Sequence, residues 1–144
     1  MQIAQKLYQG IEIEGETIGL ITYMRTDGTN LSKDAVSAFR NFIKDAIGNE
    51  YLPKNALNYS GKKAKNAQEA HEAIMPTDIS RTPQNVKKYL STDQNKLYDL
   101  IWSRALSSQM ESAKFDRNTI TITSDNNDTI CKASGSVLKF DGFL

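Results

Sequence analysis

Tyr23, Arg25 and Asp27 stand two residues apart in the run Ile21-Thr22-Tyr23-Met24-Arg25-Thr26-Asp27. If the run is extended its side chains alternate, so these three share one face while Thr22, Met24 and Thr26 share the other. A phenol, a guanidinium and a carboxylate aligned in this way suit phosphoryl chemistry. The phenol can be a nucleophile, the guanidinium can fork onto phosphate oxygens, and the carboxylate can fix the guanidinium through a bidentate pair. The same spacing also fits a tyrosine packed at a strand end beside a surface Arg-Asp pair, and spacing alone does not choose between the two.

A second cluster lies in Gln68-Glu69-Ala70-His71-Glu72-Ala73-Ile74-Met75-Pro76, which holds the single histidine of the chain between two carboxylates. Near phosphate a histidine donates hydrogen bonds, more so when protonated, and Glu69 or Glu72 is expected to hold its ring. A lone histidine is more often a half-buried structural residue. The second histidine of a zinc peptidase, the elbow of a serine hydrolase and the glycine-rich loop of a nucleotide hydrolase are all missing from the sequence. One cysteine, Cys131, makes no internal disulfide and, with one histidine, no Cys-based zinc site. No metal ligand is therefore assigned in this chain, and a reducing, cytoplasmic compartment fits.

The elements that must carry these residues follow from periodicity and capping. Met1 to Tyr8 has helical composition with Ile3, Ala4 and Leu7 on one face, no capping residue before it, and Gly10 to close it. Gly15 and Gly19 bracket a turn ahead of the β-branched run Ile18 to Tyr23, which predicts a short extended segment. Ser32 caps a helix whose stripe of Ala35, Val36, Phe39, Phe42, Ile43 and Ile47 runs to Gly48. Residues 50–66 are rich in Pro, Asn, Ser, Gly and Lys, which predicts a mobile loop, and Gln68 to Pro76 a short ordered stretch. Thr82-Pro83 opens a short helix to about Leu90. Ser91 then caps a longer one to about Met110, with Leu97, Leu100, Ile101, Ala105 and Trp102 as its buried face. After Phe115 the period becomes two, and a turn over Ser124 to Asp128 predicts a hairpin that ends near Phe140.

The whole is an α+β expectation: a mostly helical domain over 1–114 that bears the tyrosine, and a β-hairpin over 115–144. At 144 residues, 39% hydrophobic and 24% charged, the chain has the composition of an ordinary globular domain. No apolar run approaches the roughly 18 residues of a membrane span, and the N-terminus lacks a signal-peptide pattern. The net charge of +1 is unevenly placed, because Lys54 to Lys88 holds seven basic and three acidic residues. A solvated lysine-rich loop explains that excess as readily as phosphate contact does until a motif supports the latter.

Such motifs are present. Gly19-Leu-Ile-Thr-Tyr-Met-Arg-Thr-Asp27 with Thr29-Asn-Leu-Ser32 closely resembles the active-site tyrosine segment of the bacterial type IA DNA topoisomerases. Gln68 to Ile74 followed by Pro76-Thr77 is similar to that family's second signature, and Leu97 to Trp102 and Phe140-Asp141-Gly142 lie at matching order and spacing. The resemblance covers essentially the whole chain.

It implies Tyr23 as the nucleophile and Arg25 as the residue that positions phosphate or stabilises the transition state. It also implies that His71, Asp27, Thr26, Glu69, Lys62, Lys63 and Lys65 bind DNA. The implied parent enzyme is a monomer that relaxes underwound DNA without ATP through a 5′-phosphotyrosine intermediate. Its Mg²⁺ and catalytic lysine sit in a Toprim domain absent from this chain, whose ends read as cuts and whose hairpin would begin the connecting arch. A phenol, with an ordinary pKa of about 10, is a poor nucleophile unaided, so the groups that activate it are expected from that absent part. Two positions depart from the pattern: Met75 replaces the usual arginine before Pro76, so a basic contact is not expected there, and Gly28 stands where many members have serine, a change expected to be tolerated. The rival readings are a noncatalytic single-stranded DNA-binding module and a tyrosine recombinase or type IB enzyme, which would need more Arg and His residues than Arg25 and His71.

Overall fold

The structure, a computed structural model, describes residues 1–59, 71–126 and 128–144. It divides into two compact units, Met1–Met110 and Glu111–Leu144.

In the first unit, helix α1 (Gln2–Gln9) leads into a small antiparallel hairpin, β1 (Ile11–Ile13) and β2 (Glu16–Ile18). Extended chain then runs through the tyrosine segment without joining a sheet; it forms a bridge at Ile21 to Pro76, bends at Thr22 and turns at Thr26-Asp27. Helix α2 (Lys33–Phe42) starts at Ser32, whose hydroxyl accepts from the Ala35 N–H as an N-cap should. It widens into a π-helical turn over Ile43–Ile47, closed by Gly48 N–H to the Ile43 carbonyl. That widening ends the predicted stripe one turn early: Ile43 is fully buried, whereas Ile47 is exposed.

Thr82 caps α3 (Pro83–Val86), which tightens into a 3-10 turn over Lys87–Tyr89. Ser91 and Gln94 form a reciprocal capping box on α4 (Thr92–Ser107). The buried face of α4 differs from the one expected. Leu100 is 60% exposed, and Tyr98 is fully buried in its place. Tyr98, Ile101, Trp102 and Ala105 fall at helical spacing on one side, and Leu100, two residues past Tyr98, points roughly 200° away from it. Burial raises the Tyr98 phenol well above its ordinary pKa, and its hydroxyl donates to the Arg81 carbonyl at 2.7 Å.

Two apolar clusters hold the unit together. One joins Phe39, Ile43, Met75, Ile79, Ala105, Leu106 and Met110; the other joins Leu7, Leu20, Ile21, Val86 and Tyr98. Trp102 packs against both and donates its indole N–H to the Ile79 carbonyl. Buried Gln109 is satisfied at both ends by the Leu57 backbone.

The second unit is a long antiparallel hairpin, β3 (Lys114–Thr123) with β4 (Ile130–Phe140), in register from Phe115 opposite Leu138 to Thr123 opposite Ile130. Its first strand begins ahead of the stretch where strict alternation shows in the sequence. The Ser124 hydroxyl ties the turn to Asp128 and to the Thr129 N–H.

Candidate active site

Leu20 and Ile21 are buried in the second cluster, so the residues that follow them leave from a fixed point. The two sequence signatures are joined along a seam. Thr22 N–H donates to the Met75 carbonyl at 2.9 Å, the Thr22 hydroxyl donates to the Ala73 carbonyl at 2.7 Å, and that same oxygen accepts the Met75 N–H at 3.0 Å. Farther along, Ala73 N–H donates to the Asn30 carbonyl, and Thr77 bonds Gly19 and Leu20 through its hydroxyl and its N–H. Thr22 points into the seam, and its neighbour Tyr23 points out, with the residue 45% exposed.

The seam brings His71 to Tyr23. Their ring centroids are 5.7 Å apart, and Tyr8 also packs edge-on against Tyr23 at 5.3 Å. Asp27 connects Arg25 to His71: one carboxylate oxygen lies 2.9 Å from Arg25 Nε and the other 3.2 Å from His71 Nδ1. The second contact is a close approach rather than an aligned hydrogen bond, because Nδ1 has no partner along a ring N–H direction.

This corrects two expectations. Asp27 is not a bidentate partner of Arg25, since it divides its oxygens between Arg25 and His71. Glu72 does not hold the histidine ring either; its carboxylate accepts the Ser32 N–H at the start of α2. The remaining nitrogens of the Arg25 guanidinium have no partner among the described residues, and its side chain is 56% exposed, so its fork is available to an anion.

Thr26 stands apart from these contacts and lines a hollow of about 460 Å³ with Leu31, Ile74 and Arg104. Lys62, Lys63, Lys65 and Glu69 lie outside the described residues. Met75 is 5% exposed within the first cluster, so position 75 fills the core here and presents nothing to a ligand.

Gly28 is less permissive than its sequence context suggests. A Cβ there would overlap the His71 carbonyl oxygen, so serine at this position requires the backbones of residues 28 and 71 to separate. Glycine allows the close approach that sets His71 beside Asp27. Sequence reasoning missed Tyr8, which carries no motif signal, and gave no role to Thr22, which lies within the tyrosine signature; both matter through contacts across the fold.

Among the described residues no three His, Cys, Asp or Glu side chains gather as a metal site, and no helix is long and apolar enough to cross a membrane.

An exposed tyrosine packed beside a histidine, with that histidine and a guanidinium sharing one carboxylate, on this mixed α/β frame, is an arrangement suited to phosphodiester chemistry. Comparison with known proteins makes the class specific. The family profile described as DNA topoisomerase matches residues 1–144. The chain is 54% identical over 143 residues to DNA topoisomerase 1 of Rickettsia typhi and 46% identical over 143 residues to that of Helicobacter pylori, covering 99% of this chain in each case. Full-length topoisomerase I from Thermotoga maritima superposes with a TM-score of 0.82 at 38% identity, over 99% of this chain and 22% of that one. The chain belongs to the bacterial type IA DNA topoisomerase family. It spans 18% of the length of the Rickettsia relative and 19% of the Helicobacter one.

Proposed function

We propose that this chain is the tyrosine-bearing portion of a longer type IA topoisomerase that relaxes negatively supercoiled DNA. The observation that carries the reading is the outward-facing Tyr23 phenol beside Arg25, Asp27 and His71, all held by the seam between the two signatures. Tyr23 Oη attacks a backbone phosphorus of a single DNA strand. The Oη–P bond forms, the P–O3′ bond breaks, the phenol proton leaves to a base, and the departing 3′ oxygen takes up a proton. The product is a 5′-phosphotyrosine, through which the other strand passes before the 3′ hydroxyl reverses the step. Exchanging one phosphodiester for another nearly conserves bond energy, so no ATP is needed.

Arg25 binds the phosphate oxygens and stabilises charge during attack, while Asp27 fixes the edge of the guanidinium that faces away from them. His71 donates to a neighbouring phosphate. Lys62, Lys63, Lys65, Thr26 and Glu69 are proposed to line the path of single-stranded DNA. Mg²⁺, which the family implies, does not fit the acidic groups of the two signatures that are described: Asp27 is engaged by Arg25 and His71, and Glu72 by Ser32. We place Mg²⁺ elsewhere in the longer protein, a monomer acting on DNA in the bacterial cytoplasm, and route no step of this chain through it.

The test compares Tyr23→Phe, Arg25→Lys and Arg25→Ala in the full-length enzyme. Phenylalanine keeps the ring and removes the atom that becomes the ester oxygen, so the covalent adduct and relaxation vanish while noncovalent DNA binding survives. Removing the Arg25 donor costs on the order of 10² to 10³ in rate, and lysine recovers part of that loss. A covalent DNA adduct in the Tyr23→Phe enzyme would show that the nucleophile is another residue.

A further inference from the structure

Tyr8 has no place in the mechanism above, yet it is built onto the nucleophile from a different element. Its ring meets Tyr23 edge to face, with centroids 5.3 Å apart and planes at 65°. The approach is fixed in the backbone. Leu20 N–H donates to the Leu7 carbonyl at 2.8 Å, and a Cβ at Gly19 would stand 2.6 Å from the Tyr8 carbonyl oxygen. The end of α1 and the chain just before Tyr23 are therefore pressed together where only glycine fits. Leu7, the neighbour of Tyr8, is fully buried and anchors the helix. Tyr8 itself is 42% exposed and its hydroxyl has no hydrogen-bond partner among the described residues. What it offers is a ring face, not a polar group.

Tyr23 faces a specific difficulty. A half-exposed tyrosine with a free hydroxyl ordinarily samples several χ1 wells, whereas attack on phosphorus requires one. The Tyr8 and His71 rings both pack against Tyr23, and Tyr23 stays 45% exposed.

We propose that Tyr8 is a positioning residue for the reaction: its ring, docked by the Gly19 contact, confines the Tyr23 side chain to the rotamer from which the phenol oxygen reaches the phosphate. The inference rests on the assignment of Tyr23 as nucleophile and adds a residue that acts through it. Aromatic pairs of this geometry are strong enough to shift a rotamer equilibrium severalfold. Their loss lowers the fraction of enzyme competent to attack and leaves DNA affinity alone.

The experiment measures covalent adduct formation on a single-stranded oligonucleotide by the full-length enzyme carrying Tyr8→Phe, Tyr8→Leu, Tyr8→Ala or Tyr23→Phe. Tyr8→Phe keeps the ring and should match wild type. Tyr8→Ala and Tyr8→Leu should lower the rate at saturating DNA by roughly three- to tenfold with the half-saturating DNA concentration unchanged. Leucine fills the space of the ring without being aromatic, so it tests the pair even if alanine loosens α1. Wild-type rates in both the leucine and the alanine enzymes would overturn the proposal. So would a loss confined to the half-saturating concentration, which would make Tyr8 a DNA contact, or a Tyr8→Phe enzyme as slow as Tyr8→Leu, which would give the role to the hydroxyl. Tyr23→Phe separates the two levels: adduct formed without the Tyr23 hydroxyl defeats the functional reading itself, whereas a dead Tyr23→Phe enzyme beside unaffected Tyr8 variants defeats only this inference.

Discussion

The hydroxyl of Thr22 is the atom on which the seam turns, and Thr22→Val removes it while keeping the side-chain shape. In the native structure Thr22 Oγ1 donates to the Ala73 carbonyl at 2.7 Å and accepts the Met75 N–H at 3.0 Å. Valine deletes both bonds and leaves a half-buried carbonyl and N–H without these partners. Each such bond contributes about 0.5–1.5 kcal/mol net, and orphaning a buried donor costs about 1–3 kcal/mol. The burial here is partial, so the substitution should destabilise the first unit by about 2 kcal/mol, close to a thirtyfold change in the folded-to-unfolded ratio. Trp102, the single tryptophan, touches both clusters of that unit, so its fluorescence in urea reports the unit directly. With an m-value of about 2 kcal/mol/M the midpoint should fall by about 1 M. Thr22→Ser, which keeps the oxygen and loses a methyl group, should remain within about 0.4 M of wild type. If the valine chain unfolds at the wild-type midpoint, or the serine chain unfolds earlier than the valine chain, the hydroxyl does not hold the two signatures together.

Three further outcomes are expected. Met75→Ala opens a cavity between Phe39, Ile43 and Ile79 and should cost about 2–4 kcal/mol in the same urea titration. The Asp78 carboxyl lies below its ordinary 3.8, first because the Ser80 hydroxyl donates to it and then through the Ser80 N–H and Arg81, against partial desolvation. A depressed carboxylate stabilises the fold fully above the unfolded pKa and loses that contribution as pH falls through its folded value. The urea midpoints of wild type and Asp78→Asn should therefore differ at pH 7 and converge toward pH 3, and a gap that widens on acidification would contradict the assignment. The 144-residue chain by itself should bind single-stranded DNA in preference to duplex, more weakly as salt rises, and should not relax supercoiled plasmid; relaxation in an agarose gel assay would show that the chain carries the complete catalytic machinery.

Features set by local chemistry were legible in the sequence. Ser32, Thr82 and Ser91 announce their helices because an N-cap needs only its own side chain and the next turn of backbone. The hairpin at Thr123 to Ile130 announces itself by period and turn residues. Features set by tertiary placement were not legible. Leu100 and Ile47 have the residue type of a core position, but the phase of α4 and the widening at the end of α2 turn them outward. The site divides along the same line. Tyr23 and Arg25 stand out by type and spacing, whereas the sharing of Asp27 between Arg25 and His71, and the packing of Gly28 against the His71 carbonyl, depend on a seam between segments far apart in the chain.

That seam also dictates when the site can exist during synthesis. Thr22 and Ala73 are 51 residues apart, and a loop of that length closes only once its far end is available and the entropy of closure is offset. On a ribosome adding about 5–20 residues per second, Tyr23 leaves the tunnel seconds before the residues that fix it, and α4, which supplies Tyr98, Trp102 and Ala105 to the two clusters, comes later still. The nascent tyrosine thus lacks its His71 neighbour until the chain beyond it has folded back. On the function proposed above, a partly made chain holds its nucleophile but not the geometry to cut DNA.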